Sequence, residues 1–262
     1  MRLLTQDRQL EKGLEEAIRN HIENSVATAP KETGYRRPLV AFAEATHPEF
    51  AQLKELVGPD HLLPGDILPN ARSVISFFVP FDRSVVVANA RDPYVAREWA
   101  IAYIETNALL SEICASLTTM LAHHGYESGW EAPTHNFDRE RLLSHWSHKS
   151  IAAVAGLGSF GLHRMVITDA GCAGRFGSLV TTATLEPSPS QDRDKQRCRY
   201  LYDGTCDVCI ERCPVNALRR EGLDRHLCYR RCLEVDRHFA ALALTDVCGK
   251  CATGPCALQS AV

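Results

Sequence analysis

The sequence predicts an α+β protein that ends in a cysteine-rich, metal-binding module. Three observations carry this. Long stretches repeat apolar residues at helical steps. Separate short runs are rich in β-formers and bounded by turn residues. Nine of the 11 cysteines fall between Cys198 and Cys256. The 262 residues are 45% hydrophobic and 23% charged, which allows a buried core and excludes wholesale disorder. The net charge of −3 argues against bulk attraction to nucleic acid or to an anionic membrane.

Residues 8–28 read as an amphipathic helix, and 47–56 as another. Gly58-Pro59 and Leu63-Pro64-Gly65 then break the chain. Ser73-Val-Ile-Ser-Phe-Phe-Val79 reads as a buried strand. A long helix follows, with Asp92 as N-cap, Pro93 at its first position and Gly125 closing it. Its core stripe is Trp99, Ala102, Tyr103, Thr106, Leu109, Leu110, Ile113, Leu117 and Leu121, with Cys114 a small buried neighbour. Residues 126–131 read as a short strand and Ser150 to Ala155 as helical. Two further strands, 165–168 and 178–183, are joined by a turn containing Gly171, Gly174 and Gly177. Pro187 to Ser190, with the charged residues after it, is the expected linker. It divides the chain into a domain of residues 1–190 and a module of 191–262.

In that module, Cys206-x2-Cys209-x3-Cys213-Pro214 matches the last three cysteines and the proline of the bacterial ferredoxin motif. Asp203 stands where the first cysteine would fall, and Cys198 is the natural substitute. A [4Fe–4S] cube needs four thiolates, and the cysteine before proline points toward a second cube. The expected sets are Cys198, Cys206, Cys209 and Cys256 for one cluster, and Cys213, Cys228, Cys248 and Cys251 for the other. Cys232 is an alternative to Cys228. Structural zinc is the competing reading, because Cys-x2-Cys pairs also build zinc knuckles. Crowded thiols without a signal peptide point to metal binding in the cytoplasm. Residues 191–238 hold 11 Lys/Arg against 9 Asp/Glu, which makes no nucleic-acid patch.

Gly156-Leu-Gly158-Ser-Phe-Gly161 spells G-x-G-x-x-G. A dinucleotide site would need a strand before it and a helix after it, and the pattern here is the reverse. The bare backbone instead suits a close approach to a large flat ligand or to a neighbouring strand.

The run from Trp146 to Gly161, then Ile167-Thr168 and Gly171, then the double-cluster module, resembles the epoxyqueuosine reductase family, which is related to corrinoid reductive dehalogenases. The resemblance covers roughly residues 60–256. It implies a nitroreductase-like catalytic domain that holds a base-off cobalamin, with a ferredoxin-like module feeding it electrons. An external donor such as ferredoxin or flavodoxin would supply those electrons, and a small organic molecule would be the substrate. Gly156, Gly158 and Gly161 would line the corrin, with Arg164, Thr168 and Thr181 beside it. The family's upstream acidic proton donor has no match in Leu142 to His145, and Asp138, a few residues before that stretch, is the acid taken as its candidate. The family's C-terminal helical repeats are not in this chain, so no productive role for tRNA is expected. His148, His145, Asp138 and Tyr103 are the candidate proton donors. FMN in the same pocket, and a non-catalytic electron carrier, are the alternatives.

Overall fold

The computed structural model of the chain describes residues 2–189 and 195–262. The elements in order are α1 (Arg2–Ala27), β1 (Leu39–Glu44), α2 (Pro48–Leu56), α3 (Pro64–Ile67), β2 (Ser73–Pro80), α4 (Arg83–Arg91) and α5 (Arg97–His123). There follow β3 (Ser128–Gly129), β4 (Phe137–Asp138), β5 (Leu143–Ser144), α6 (His148–Val154), β6 (Gly158–Phe160), β7 (Val166–Thr168) and β8 (Gly174–Thr181). The last helices are α7 (Arg199–Asp203), α8 (Val208–Glu211) and α9 (Arg225–His238). Among the described residues, no helix is long and apolar enough to cross a membrane.

An antiparallel sheet in the order β1–β2–β8–β3 is the centre. All of β2 is buried, because both faces of the sheet are covered. On one face Ile75, Phe77 and Val79 meet α5 and the inner face of α1, where Leu14, Ile18, Ile22 and Val26 recur every four residues. On the other face Val74 and Phe78 meet Phe50 and Leu53 of α2 and Ile151 and Ala152 of α6. The alternation along β2 is real, but both faces of it are apolar, so the strand reads as a continuous hydrophobic run.

Three expectations change. The long helix starts at Arg97 rather than at Pro93. Asp92 instead ends α4, and its carboxylate accepts from the Tyr94 N–H at 2.7 Å, turning the chain between two helices. The strand expected over 126–131 contracts to Ser128–Gly129. Gly174 and Gly177 are not in a turn but inside β8. Gly177 pairs with Phe77 of β2, whose ring takes the space a Cβ would fill. Gly171 does turn the chain, at φ +82°. The expected domain boundary at 190/191 lies outside the described residues.

The cysteine-rich segment packs on α4 and the start of α5. Lys250 donates from Nζ to the carbonyls of Asn89 and Asp92, both at 2.6 Å. Cys172 and Ala173 donate from their backbone N–H groups to Cys256 and Ala257, both at 3.0 Å. Gly249 sits at φ +67° with the Trp99 indole where a side chain would be. These contacts fix the module against the sheet before any cofactor is considered.

Candidate cluster module and cofactor cleft

Each cysteine is placed by a short local device. Cys198 is the N-cap residue of α7, and Gly204 ends that helix at φ +78° so that the chain returns to Cys206. Asp203, at the motif's missing cysteine, is exposed and takes hydrogen bonds from Thr205. Cys209 lies in α8, and Cys213 follows it, its sulfur accepting from the Leu218 N–H at 3.4 Å. Cys228 and Cys232 are one turn apart on α9 and face each other. Cys251 lies in a single 3₁₀ turn, Lys250–Thr253, with Cys248 just before it and Cys256 beyond.

The folded chain brings these thiols close to one another, around Cys209 and around Cys251. Burial pushes the Cys209 thiol up to about 12, and Cys256, Cys198 and Cys206 add to the rise. Burial also raises the Cys251 thiol, with Cys228, Cys248, Cys209 and Cys213 adding to it. Thiols packed this way resist ionisation by themselves, so loading a metal centre would release protons. Two thiols go the other way. A hydrogen bond from Cys172, with help from His163, holds Cys256 down to about 5 against burial. A hydrogen bond from Cys232 holds Cys228 down to about 7, with Lys149 assisting, while Cys232 itself is pushed up.

A cavity of about 330 Å³ lies between the module and the sheet. Trp99, Tyr103 and Leu218 line it, as do Cys213, Cys228, Cys248 and Cys251. A second cavity, of about 230 Å³, lies beside it behind Phe137, Trp146, His148 and Phe176. Lys149, Met165, Gly174 and Arg175 line both, so the two form one cleft. The Lys149 ammonium is held by the Arg164 carbonyl at 3.1 Å. The Arg175 guanidinium stacks over the Tyr103 ring at 4.6 Å, and its buried Nε has no hydrogen-bond partner.

Tyr103 is where the helical stripe places it, buried at the cleft wall. Its hydroxyl donates to Asp246 at 2.6 Å and lies 3.1 Å from the Thr134 hydroxyl. Burial pushes the phenol up to about 12. Asp246 also faces the His135 Nε2 at 3.5 Å. Thus Tyr103, Asp246 and His135 form a polar chain from the cleft outward.

The other candidate proton donors are placed differently. His148 is buried between two partners: Ser178 Oγ lies 2.7 Å from its Nδ1 and the Ala132 carbonyl 3.1 Å from its Nε2. The carbonyl can only accept, so Nε2 carries the proton and Ser178 donates to Nδ1. Ser178 in turn accepts from the Trp146 indole N–H at 3.0 Å. Burial lowers the His148 pKa to about 4, which keeps the ring neutral, and its one proton is already committed. Asp138 caps its own turn, accepting from the Glu140 and Arg141 N–H groups and from the Arg141 guanidinium. His145 lines a separate small pocket with Gly58 and Arg141, away from the thiols.

Of the residues expected to line a corrin, Arg164 alone lines the cleft. Gly156 turns at φ +86° and faces a different groove. Gly158 pairs with Thr168 in the β6–β7 hairpin, and a Cβ there would run into the Ile167 carbonyl. Gly161 leaves room for the His163 imidazole. Thr168 and Thr181 are fully buried and bond to the Gly171 and Glu127 carbonyls. The glycine motif therefore serves a neighbouring strand, the second of its two readings. Sequence reasoning missed Asp246 and His163, which lie in no motif. Lys149 and Arg175 also face the cleft.

No protein-family model matches the sequence, and no curated protein does. Solved structures do. A selenomethionine-labelled epoxyqueuosine reductase aligns with a TM-score of 0.56 at 15% identity, over 94% of this chain and 66% of its own. The enzyme from Streptococcus thermophilus gives 0.57 at 15%, over 92% of this chain and 67% of that one. The chain has the fold of epoxyqueuosine reductases. A catabolic reductive dehalogenase gives 0.55 at 12%, over 86% of this chain and 30% of that one. The chain thus spans about two-thirds of the reductases and less than a third of the dehalogenase. The α+β class read from the sequence agrees with these neighbours.

Proposed function

We propose that this chain is an iron–sulfur oxidoreductase. In this reading two [4Fe–4S] clusters carry low-potential electrons into the cleft, where a corrinoid is held and a small organic substrate is reduced. The observation that carries the reading is the gathering of thiols around Cys209 and around Cys251, with Cys213, Cys228, Cys248 and Cys251 lining the cleft. Cys209 has Cys198, Cys206 and Cys256 about it, and Cys251 has Cys228 and Cys248, with Cys209 and Cys213 beyond them. Each expected set offers the four thiolates that one cube needs. Cys232 stands beside Cys228 as the hydrogen-bond donor that favours its thiolate. An external donor such as ferredoxin or flavodoxin fills the clusters. The nitroreductase-like and ferredoxin-like parts of the reading correspond to residues 1–190 and 191–262.

The cleft offers an unpaired donor to an amide-bearing cofactor. A buried donor without a partner costs about 1–3 kcal/mol, and the Arg175 Nε is one. An amide carbonyl on a bound group would remove that cost. Tyr103, Lys149, Arg164 and Arg175 are the residues that would hold a corrinoid, which when bound supplies low-valent cobalt for reductive chemistry. Tyr103 stays protonated at neutral pH and keeps a proton at the cleft wall, oriented by Asp246. A pure electron carrier needs no such buried guanidinium and phenol.

Anaerobic titration of the iron-loaded chain with hydroxocobalamin, then desalting and an absorption spectrum, tests this. One corrinoid per chain is expected. Arg175→Met should weaken retention about 10- to 100-fold, as losing a hydrogen bond to a charged group does. A chain that retains no corrinoid but takes up FMN one-to-one would overturn the corrinoid reading.

A further inference from the structure

We infer that His163 sets the reduction potential of the cluster on Cys198, Cys206, Cys209 and Cys256, by donating a hydrogen bond from Nε2 to the Cys256 sulfur. The inference rests on the cluster reading above and concerns a residue that reading does not use.

His163 follows the glycine motif at the tip of the β6–β7 hairpin and is 5% exposed. Its Nε2 lies 3.3 Å from the Cys256 Sγ. Its Nδ1 accepts from the Met165 backbone N–H at 3.1 Å. That second contact decides the tautomer. A ring nitrogen facing a backbone donor must present its lone pair, so the neutral imidazole carries its proton on Nε2. The N–H therefore points at the sulfur. Gly161 gives the ring room: a Cβ there would sit 2.8 Å from the Ile167 Cδ1 and 3.0 Å from the His163 Cε1. The last glycine of the motif leaves space for an imidazole.

Cys172 adds a second, weaker donor. Its sulfur is 3.9 Å from that of Cys256, and its backbone N–H binds the Cys256 carbonyl at 3.0 Å. The ligand atoms of His163, Cys172 and Cys256 all lie within 4.8 Å of one another, close enough to hold one metal ion. The tautomer argues against that use. A metal-bound imidazole needs a lone pair on the ligating nitrogen, and here Nε2 holds the proton. The trio is a sulfur with two donors turned toward it.

A cluster gains negative charge on reduction. Donors aimed at a ligand sulfur stabilise the reduced state more than the oxidised one and raise the potential. The other cluster's ligands have no imidazole partner among the described residues, so the effect should fall on one cluster only.

The test uses the full chain, reconstituted anaerobically, as wild type, His163→Phe, His163→Gln and Cys172→Ala. Iron is counted, and each cluster's midpoint is read by electron paramagnetic resonance during a potentiometric titration. His163→Phe should keep the wild-type iron content and lower the midpoint of one signal, leaving the other unmoved. His163→Gln, which retains an N–H donor, should recover part of the shift. Cys172→Ala should give a smaller shift of the same sign. Unmoved midpoints in both His163→Phe and Cys172→Ala, with full iron, would overturn the inference and leave the cluster reading standing. Loss of half the iron in His163→Phe would also overturn it, by making the imidazole a ligand. A wild-type chain that takes up no iron would remove the cluster reading, and this inference with it.

Discussion

Cys209→Ser and Cys251→Ser should each remove a different cluster. Cys209 sits among Cys198, Cys206 and Cys256, whereas Cys251 sits chiefly with Cys228 and Cys248. A missing thiolate opens one corner of one cube and leaves the other cube fully ligated. Iron should fall from about eight to about four per chain in either variant, as four-iron cubes require. The reduced protein should lose one electron paramagnetic resonance signal in the first variant and the other signal in the second. If both variants lose the same signal, the thiols are wrongly sorted. In that sorting Cys198 would supply the thiol that Asp203, exposed and bound to Thr205, does not.

Gly158→Val should destabilise the chain whether or not a cofactor is bound. The position pairs with Thr168, and a Cβ would meet the Ile167 carbonyl and come within 2.9 Å of the Val166 Cγ1. Backbone cannot move aside as a flexible side chain can. Overpacking of this kind costs about 1–3 kcal/mol or more, and each kcal/mol lowers the melting temperature by about 2–4 °C in a chain of this size. Thermal melts of the metal-free protein, followed by circular dichroism, should show the drop. A variant that melts like wild type but no longer retains corrinoid would put the glycine loop back at the cofactor.

What the sequence revealed follows from how far each signal reaches. The stripe on α5 was readable because a helix repeats locally, and every stripe residue from Trp99 to Leu121 is buried. The strand β2 was readable because its burial on both faces leaves an unbroken apolar run. The cysteines were readable because their ligand spacing is a local property. Asp246 was not, since its partner Tyr103 is 143 residues away and no periodicity connects them. The start of α5 was misplaced because Asp92-Pro93 suits a helix start and an interhelical turn equally well, and α4 uses it as a turn. The glycines of residues 156–161 were assigned to a ligand because a pattern of small residues records close approach without recording what approaches. Here it is the β7 backbone and the His163 ring.

Iron and acid-labile sulfide, measured per chain on the anaerobically reconstituted wild-type protein, test the central claim most directly. The account predicts about eight of each, as two four-iron cubes require. Four iron per chain, or stoichiometric zinc in place of iron, would contradict it.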